Sequence, residues 1–471
     1  MYRLRGYRII STSNKDNHTF SNNDLTTLLN ERLDLIVFLR NMDGNPGPID
    51  IAYIVPPNQD DRKWNIEHYN NTGQIDLNFE YLISDIERNL ENSYIENGGD
   101  KQKEGVYLVG FSTHYKYLSE ISLDELRSLA YSANKAVLGK TLQTRRKPDP
   151  RYLIGKGKLN EIFLNANHLG ADTIIFDVEL TPAQIKSISN QTELNIIDRT
   201  QLILEIFAKR ATTSEGKIQV KLAQLKYALP RLTGKGIEMS QLGGGIGTRG
   251  PGEKKIEHQK RRLRKQIDIY ENQIKKLANR RESSRKQRAR TGILTATFIG
   301  YTNVGKSTLF NQLTKSNVAT QNKLFSTLNP TTRKLFLKIG KEILLTDTVG
   351  FISDLPRDLV NAFRATIEEL GDSDLLIHIA DGSDPLFEER IESVEKIIEE
   401  IGYGNIPRFI IFNKVDLIDE ELKERLERMY NTRVISAFDN GSLKEFREVL
   451  DKKIDELIES QVKSKIIYAL N

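Results

Sequence analysis

The chain has 471 residues, a net charge of +5 and no cysteine. This length predicts about three domains, and the lack of cysteine excludes disulfides and thiolate zinc sites and fits a reducing compartment. No apolar run approaches the ~20 residues of a membrane span, and the N-terminus lacks the apolar core of a signal peptide. We therefore expect a soluble, cytoplasmic monomer without stable membrane insertion, and peripheral association with a membrane stays open.

The charge is divided unevenly along the chain. Residues 1–100 hold 9 Lys and Arg against 16 Asp and Glu, residues 254–292 hold 15 against 4, and residues 293–471 hold 23 against 29. A strongly basic segment joined to an acidic module is typical of a protein that docks on RNA or DNA. A solvated helix face is the plainer alternative for a charge run.

Residues 1–103 form an acidic extension that is rich in asparagine and contains Gly-Asn-Pro-Gly-Pro at 44–48. Apolar runs at 33–39 and 49–55 predict two strands, so this segment is expected to be a small extra domain. Residues 104–212 alternate between apolar runs and helical patterns. They predict strands at 106–111, 173–176 and 194–197, and helices around 121–140, 158–169, 181–190 and 200–210.

Within this segment, residues 155–158 read Gly-Lys-Gly-Lys. They could contact a phosphate, but a glycine-rich helix start is the favoured interpretation.

The basic middle of the chain carries two apolar seams with coiled-coil spacing. The longer seam predicts one long helix and consists of Ile256, Leu263, Ile267, Tyr270, Ile274 and Leu277. The shorter seam predicts a helix from near Thr213 to Pro230 and consists of Ile218, Leu222, Leu225 and Leu229. Together they predict an antiparallel hairpin over residues 213–292. Its glycine-rich basic tip can enter a narrow place.

Residues 300–307 read Gly-Tyr-Thr-Asn-Val-Gly-Lys-Ser, a complete phosphate-binding loop. A predicted strand at 293–299 leads into it, and a helix is expected to start at Lys306. At such a helix N-terminus the backbone N–H groups hold the β- and γ-phosphates, Lys306 neutralises them, and the Ser307 hydroxyl binds Mg²⁺. The nucleotide-binding residues predicted here are Gly300, Tyr301, Thr302, Asn303, Val304, Gly305, Lys306 and Ser307.

A second motif, Asp347-Thr348-Val349-Gly350, follows an apolar run at 343–345. Asp347 at the end of a strand can reach Mg²⁺ through water, and the Gly350 N–H can donate to the γ-phosphate, so Gly350 joins Lys306 as a catalytic candidate. Phe351 stands where Ras-type enzymes have a glutamine that orients water. We therefore predict slow intrinsic hydrolysis that a partner accelerates.

The base-recognition motif is Asn413-Lys414-Val415-Asp416, at the end of an apolar run at 409–412. The Asp416 carboxylate can accept hydrogen bonds from the guanine N1–H and 2-amino groups, and adenine would leave it partly unpaired. The pattern thus predicts GTP and GDP as ligands. The segment Ser436, Ala437 and Phe438 is expected to supply a backbone contact to the guanine O6.

Between the first two motifs lies a segment, 324–333, that should touch the γ-phosphate. A threonine hydroxyl there should complete the Mg²⁺ shell. Spacing alone does not choose among Thr327, Thr331 and Thr332.

Several long motifs resemble the HflX family of ribosome-associated GTPases, over roughly residues 105–440. They lie at 152–158, 176–184, 198–200, 215–232, 243–253 and 300–308. The resemblance implies an α/β fold in which a P-loop GTPase domain (293–460), followed by a tail (461–471), is preceded by an HflX-type domain (104–292). That domain would combine an α/β part (104–212) with the hairpin (213–292).

The resemblance also implies a function. The protein would bind the large ribosomal subunit and its rRNA, extend the hairpin toward the peptidyl-transferase centre, and, with GTP bound, split stalled ribosomes under heat or antibiotic stress. The family motif Phe-Ala-Thr-Leu-Asp corresponds here to Phe325, Ser326, Thr327, Leu328 and Asn329. This points to Thr327 as a second Mg²⁺ ligand and a catalytic residue. Asn329 departs from the family pattern, as do Lys254 and Lys255 near the hairpin tip.

Two alternatives from other functional classes stay open. The N-terminal part could be an ATP-dependent RNA-remodelling enzyme that uses the 155–158 segment. Alternatively, the chain could be a regulatory module that binds GTP and barely hydrolyses it, which Phe351 in place of glutamine favours.

Overall fold

A computed structural model describes residues 4–13, 19–42, 45–58, 62–76, 78–100, 102–113, 116–232, 251–289, 293–316, 324–325, 330–337, 341–352 and 368–470. The chain divides into two compact units, Met1–Ile203 with Pro230–Ile256, and Leu204–Leu229 with Glu257–Asn471. The described part is an α/β fold with three sheets. None of its helices is long and apolar enough to cross a membrane. The domain bounds inferred from the sequence stay predictions.

The first hundred residues contain a four-stranded sheet in the order β1-β2-β3-β4. The elements are β1 (Arg8–Ser13), α1 (Asn22–Asn30), β2 (Leu35–Met42), β3 (Asn45–Ile54), β4 (Trp64–Tyr69) and α2 (Phe79–Glu96). β1 is parallel to β2, and the other pairs are antiparallel. The strands predicted from the two apolar runs are confirmed as β2 and β3. The residues of β1 and β4 are mostly exposed and form no apolar run, so the sequence pattern did not predict these strands.

This N-terminal sheet packs on the segment that follows it in the same unit. Leu164 packs against the apolar cluster of α1 and β3, and Tyr94 of α2 is part of the next core cluster along the chain. The Nε2 atom of His168 lies 2.8 Å from the Val55 carbonyl oxygen, and Asn167 donates to Asn30 at 3.1 Å. The acidic extension is therefore an integral part of the first unit.

Residues 104–210 form a parallel sheet with helices between the strands. The elements are β5 (Glu104–Ser112), α3 (Lys116–Ser132), β6 (Lys135–Thr144), α4 (Lys156–His168), β7 (Thr173–Phe176), α5 (Pro182–Ser189), β8 (Asn195–Asp198) and α6 (Arg199–Arg210). The strand order is β6-β5-β7-β8. The three predicted strands are confirmed as β5, β7 and β8. Gly155 is the N-cap residue of α4, so the Gly-Lys-Gly-Lys segment begins a helix, and phosphate contact there stays a prediction.

One helix prediction in this segment is wrong beyond residue 132. The sequence pattern predicted a helix around 121–140, but α3 ends at Ser132 and the chain continues as β6, which pairs with β5. Asn134 has φ 63°, a left-handed conformation that ends helices. Ala136 and Leu138 are buried on the strand. A short apolar run does not by itself distinguish a buried strand from a buried helix.

Helices α7 (Ser214–Arg231) and α8 (Pro251–Ala289) form the predicted hairpin. Leu222, Leu225 and Ile267 are buried in one cluster, and Leu229, Leu263, Tyr270 and Ile274 pack against it. The Lys226 ammonium and the Glu271 carboxylate bridge the two helices at 2.7 Å. The predicted seam is therefore confirmed at these positions. The side chain of Ile256 and the tip at 233–250 lie outside the described residues.

The second unit also contains a five-stranded sheet in the order β10-β11-β9-β12-β13. Its elements are β9 (Thr295–Ile299), α9 (Lys306–Thr314), β10 (Thr331–Phe336), β11 (Glu342–Asp347), β12 (Leu375–Asp381), α10 (Phe387–Glu400), β13 (Arg408–Asn413), α11 (Glu420–Tyr430) and α12 (Asn440–Leu470). All pairs are parallel except β10 with β11. The carboxyl ends of four parallel strands thus meet at one edge, where ligands bind in open α/β sheets. The segment taken as a tail from the sequence continues α12 to Leu470.

Candidate functional site: a nucleotide pocket at the sheet edge

The phosphate-binding loop lies between β9 and α9 at this edge, as the sequence predicts. Gly305 is the N-cap residue of α9 and has φ 93°. A Cβ atom there would lie 2.2 Å from the Asn413 amide nitrogen, so only glycine fits both the backbone and the space. The loop therefore ends at the N-terminus of α9, and helix N-termini that follow such loops bind phosphate.

Lys306, the first residue of α9, reaches back into its own loop. Its Nζ atom donates to the carbonyl oxygens of Gly300 at 3.0 Å and Tyr301 at 2.6 Å. Burial lowers the pKa of the Lys306 ammonium to about 8, and the Asp347 carboxylate works in the opposite direction. The side chain is therefore a buried cation close to the position where the sequence predicts the β- and γ-phosphates.

Ser307, in the first turn of α9, and Asp347, at the end of β11, are brought together. Asp347 is the last residue of β11 and is fully buried, and the Ser307 hydroxyl donates to its Oδ2 atom at 2.6 Å. The Thr348 hydroxyl donates to the Phe298 carbonyl at 2.6 Å and fixes the turn that follows. A hydroxyl and a carboxylate at this distance are the oxygen ligands that Mg²⁺ prefers.

Gly350 and Phe351 are joined to the phosphate-binding loop by backbone hydrogen bonds. The Phe351 N–H donates to Gly300 at 3.1 Å, and the Phe351 carbonyl accepts from Thr302 at 2.7 Å. A Cβ atom on Gly350 would lie 2.8 Å from the Thr302 Cα atom and 3.0 Å from the Lys306 Nζ atom. The Phe351 side chain is only 2% exposed. It is a core residue and offers no polar group to a water molecule.

Asn413 connects three loops of the pocket. Its amide nitrogen donates to the Val304 carbonyl at 2.8 Å, and its amide oxygen accepts from the Ala437 N–H at 3.0 Å. The Val415 N–H donates to Ile435 at 3.0 Å. The phosphate-binding loop, the base-recognition loop and the 436–438 loop are therefore held in fixed positions relative to one another.

Asp416 is exposed, so its carboxylate is open to an incoming base. Ser436 and Ala437 are buried, whereas Phe438 is 80% exposed. The Ala437 N–H donates to Asn413, and the Phe438 N–H donates to the Ser436 hydroxyl at 3.3 Å. Both N–H groups therefore have protein acceptors in this structure, and a backbone contact to the guanine O6 stays a prediction.

The switch segment is described only in part. Phe325 is buried with φ 58°. Ser326, Thr327, Leu328 and Asn329 lie outside the described residues, so the choice of Thr327 as an Mg²⁺ ligand stays a prediction. The other two threonines that spacing allowed, Thr331 and Thr332, begin strand β10.

Some residues of this region were not predicted from the sequence. Asp381, at the end of β12, accepts from the Lys414 ammonium at 2.5 Å. The Arg390 guanidinium lies over the Tyr301 ring, 4.6 Å from its centre, and pairs with Asp384 at 2.7 Å. An acidic residue directly after the apolar run 375–380 was a usable signal for Asp381. The Arg390 contact depends on tertiary packing and leaves no local pattern.

Comparison with known proteins covers most of the chain. Residues 120–208 match a family model described as the N-terminal part of a GTP-binding GTPase, and residues 210–288 match its middle region. Residues 295–414 match a model described as a 50S ribosome-binding GTPase.

Curated relatives match over long segments. GTPase HflX of Caldanaerobacter subterraneus subsp. tengcongensis is 47% identical over 300 residues, which is 64% of this chain and 70% of that protein. GTPase HflX of Flavobacterium psychrophilum is 38% identical over 379 residues, 75% of this chain and 91% of that protein. A crystal structure of a GTP-binding protein from Sulfolobus solfataricus in complex with GDP is 27% identical, covers 76% of this chain and 99% of that chain, and has a TM-score of 0.39.

Proposed function

The chain belongs to the HflX family of GTPases, and on this premise we propose that its GTP-bound form docks on the large ribosomal subunit and splits stalled or idle ribosomes into subunits. Hydrolysis is stimulated by the docked ribosome and ends the cycle. The protein acts as a cytoplasmic monomer, under heat or antibiotic stress.

The observation that carries the docking proposal is the division of α8 into an apolar seam and a basic outer face. Ile267 is buried against α7. Among the side chains of this helix that the structure describes, the exposed cations are Arg261, Arg262, Arg264, Lys265, Lys275 and Lys276. Exposed cations on a rod bind the phosphate backbone of RNA by releasing counterions, and this affinity falls steeply with salt.

The nucleotide is held by residues that the fold places at one sheet edge. We propose that Lys306 leaves its two carbonyl acceptors and binds the β- and γ-phosphates, and that the Gly350 N–H donates to the γ-phosphate. Asp416 accepts from guanine and selects GTP over ATP.

The residues present also fit Mg²⁺, because Ser307 and Asp347 offer hard oxygen atoms at the end of β11. We propose that the Ser307 hydroxyl binds the ion directly, with Thr327 as a second ligand, and that Asp347 holds it through water. When bound, the ion offsets the negative charge on the phosphate oxygens.

The chain lacks a polar side chain at the position of the water-orienting glutamine. Phe351 is buried and is fixed to the phosphate-binding loop through its backbone. We therefore propose that the docked ribosome orients the attacking water. It does so by positioning this water rather than by removing its proton. This requires slow hydrolysis in isolation and faster hydrolysis on the large subunit.

The decisive experiment measures GTP hydrolysis with and without large ribosomal subunits, together with co-sedimentation in GDP and in a non-hydrolysable GTP analogue. We expect at least about a hundredfold stimulation, which is a lower bound beside the roughly 10³–10⁵ that a supplied arginine gives to GTPases, and binding that depends on the analogue. Equal binding in GDP and the analogue would contradict the switch, and unstimulated turnover would favour the regulatory module. ATP turnover that survives Asp416→Asn would favour the RNA-remodelling alternative. If docking and stimulation are found, sucrose-gradient analysis of 70S ribosomes tests splitting.

A charge variant tests the docking surface separately. In this variant four basic residues of α8 are replaced by glutamine, namely Arg261, Arg262, Arg264 and Lys265. The control replaces four exposed cations of the acidic GTPase domain, namely Lys396, Arg425, Lys444 and Lys452. We expect the hairpin variant alone to bind subunits more weakly and to reduce the log–log salt slope by about 3, with GDP affinity unchanged in both. Normal binding of the hairpin variant at moderate salt would refute the electrostatic account.

A further inference from the structure

The end of helix α6 holds a residue of the switch segment. The Arg210 guanidinium donates from Nη1 to the Phe325 carbonyl oxygen at 2.5 Å. The Phe207 ring meets the Phe325 ring edge to face, with 4.6 Å between the ring centres and 71° between their planes. Both phenylalanine side chains are 2% exposed. One side chain thus fixes the backbone of Phe325, and the other fixes its ring.

The backbone of Phe325 requires such support. Its φ of 58° lies in the left-handed region, which aromatic residues rarely adopt. Such conformations persist only where the surrounding structure determines them, and they cluster at binding and switch regions. The two contacts from α6 therefore support the left-handed backbone conformation of Phe325 itself.

Arg210 is suited to this role by its surroundings. The side chain is half-buried, and burial lowers the pKa of its guanidinium. Among the described residues its hydrogen-bond acceptor is this backbone carbonyl and not a carboxylate. A partly buried cation that is directed at a main-chain oxygen fixes backbone geometry, and a charged donor makes that bond stronger than a neutral one.

The position of these residues in the chain connects two functions. Phe325 is two residues before Thr327, and Arg210 is four residues before Ser214, where helix α7 of the hairpin begins. Phe207, Arg210 and Phe325 all lie in the same compact unit, Leu204–Leu229 with Glu257–Asn471. The two side chains therefore connect the end of α6, just before the hairpin, to the residue that leads into the predicted switch.

We propose that Phe207 and Arg210 are positioning residues for GTP hydrolysis, which act by fixing Phe325, two residues before the predicted Mg²⁺ ligand Thr327. This deepens the proposed function, on which it rests, since it names the contact through which docking of the hairpin reaches the nucleotide. The two residues touch neither substrate nor metal. They act through the backbone of Phe325.

The test compares single-turnover hydrolysis of GTP, without ribosomes, by the wild type, Arg210→Ala, Arg210→Lys and Phe207→Leu. Lys209→Ala is the matched control, because Lys209 is the neighbouring exposed cation on the same helix turn. We expect Arg210→Ala to lower the rate about tenfold, as loss of one charged hydrogen bond at this site would do. Arg210→Lys should recover part of the loss, and Lys209→Ala should leave the rate unchanged.

Two further measurements separate positioning from a merely structural role. GDP affinity should be unchanged in Arg210→Ala, because GDP lacks the γ-phosphate that the switch senses. The double variant Phe207→Leu with Phe325→Leu should lose less than the product of the two single losses, since both changes remove the same ring contact. An unchanged or raised hydrolysis rate in Arg210→Ala would overturn the proposal. A parallel loss of GDP affinity would also overturn it.

The same proteins, assayed with large subunits, distinguish this proposal from the proposed function. If the wild type is not stimulated by subunits, docking-linked hydrolysis fails, but the intrinsic comparison between Arg210→Ala and the control still decides the positioning role. If large subunits stimulate the wild type and Arg210→Ala to the same rate, the contact does not transmit docking. In that case this inference fails and the proposed function stands.

Discussion

Replacement of Asn413 should reduce GTP and GDP affinity together. The Asn413 side chain is 2% exposed and satisfies two backbone groups, the Val304 carbonyl at 2.8 Å and the Ala437 N–H at 3.0 Å. In Asn413→Ala both groups lose their partner inside the protein. Each buried, unsatisfied backbone group costs about 1–3 kcal/mol, so the ordered pocket is destabilised by about 2–6 kcal/mol. At 1.4 kcal/mol per factor of ten, this predicts a loss of affinity of at least about tenfold.

Asn413→Asp separates the two hydrogen bonds. The carboxylate keeps an acceptor for the Ala437 N–H but places a second oxygen against the Val304 carbonyl, where two acceptors repel each other. We therefore expect the loss of affinity to be at least as large as in Asn413→Ala. Asn405→Ala, at an exposed asparagine of the same domain, is the control and should bind normally.

The assay is titration of a fluorescent GDP or GTP analogue, with thermal unfolding of each variant measured beside it. GDP and GTP should weaken by the same factor, because the contacts of Asn413 lie on loops that hold both nucleotides. A folded Asn413→Ala protein whose GDP dissociation constant stays within about twofold of the wild type would refute the reasoning, since 2 kcal/mol corresponds to more than tenfold.

Three further predictions concern the γ-phosphate contact, the core of the hairpin and base recognition. Gly350→Ala should lower hydrolysis by about 10²-fold and spare GDP binding, because the new methyl group would meet the Thr302 backbone at 2.8 Å and displace the N–H donor; unchanged single-turnover rates would contradict this. Leu225→Ala should lower the free energy of unfolding by about 2–5 kcal/mol, because it opens a cavity beside Ile267; denaturant titration measures it, and a change below 1 kcal/mol would argue against a packed hairpin. Asp416→Asn should abolish the preference for GTP over ATP in competition binding, and a preserved preference would place base recognition elsewhere.

The nucleotide pocket could be predicted from the sequence wherever its chemistry is local. Residues 300–307 form one contiguous loop, and the backbone requirement at Gly305 and the first turn of α9 are encoded within it. Asp347 and Asn413 each follow an apolar strand, and parallel strands bring their carboxyl ends to one edge. The apolar seam of the hairpin could also be predicted from the sequence, because α7 and α8 repeat their apolar residues at heptad spacing.

Contacts between distant segments could not be predicted in this way. Phe207 and Phe325 are 118 positions apart in the chain, and no sequence pattern predicts that the two rings meet. The same holds for Arg390 over Tyr301. The error at 133–140 has a local cause, because a short apolar run fits a buried helix and a buried strand equally well until its pairing with β5 is known.

The parts of the pocket differ in how they are held, and this bears on regulation. The phosphate-binding, base-recognition and 436–438 loops are bound to one another through Asn413, within the GTPase domain. Phe325 is held instead from α6, which leads into the hairpin. If the hairpin docks as proposed, loops that are fixed within the GTPase domain would let the protein bind GTP before docking, and the contacts from α6 to Phe325 would let docking change hydrolysis. The two groups of variants should therefore differ in which quantity they change, the nucleotide affinity or the rate of hydrolysis. Variants at Asn413 should change affinity with and without ribosomes, whereas variants at Phe207 and Arg210 should change the rate at unchanged affinity.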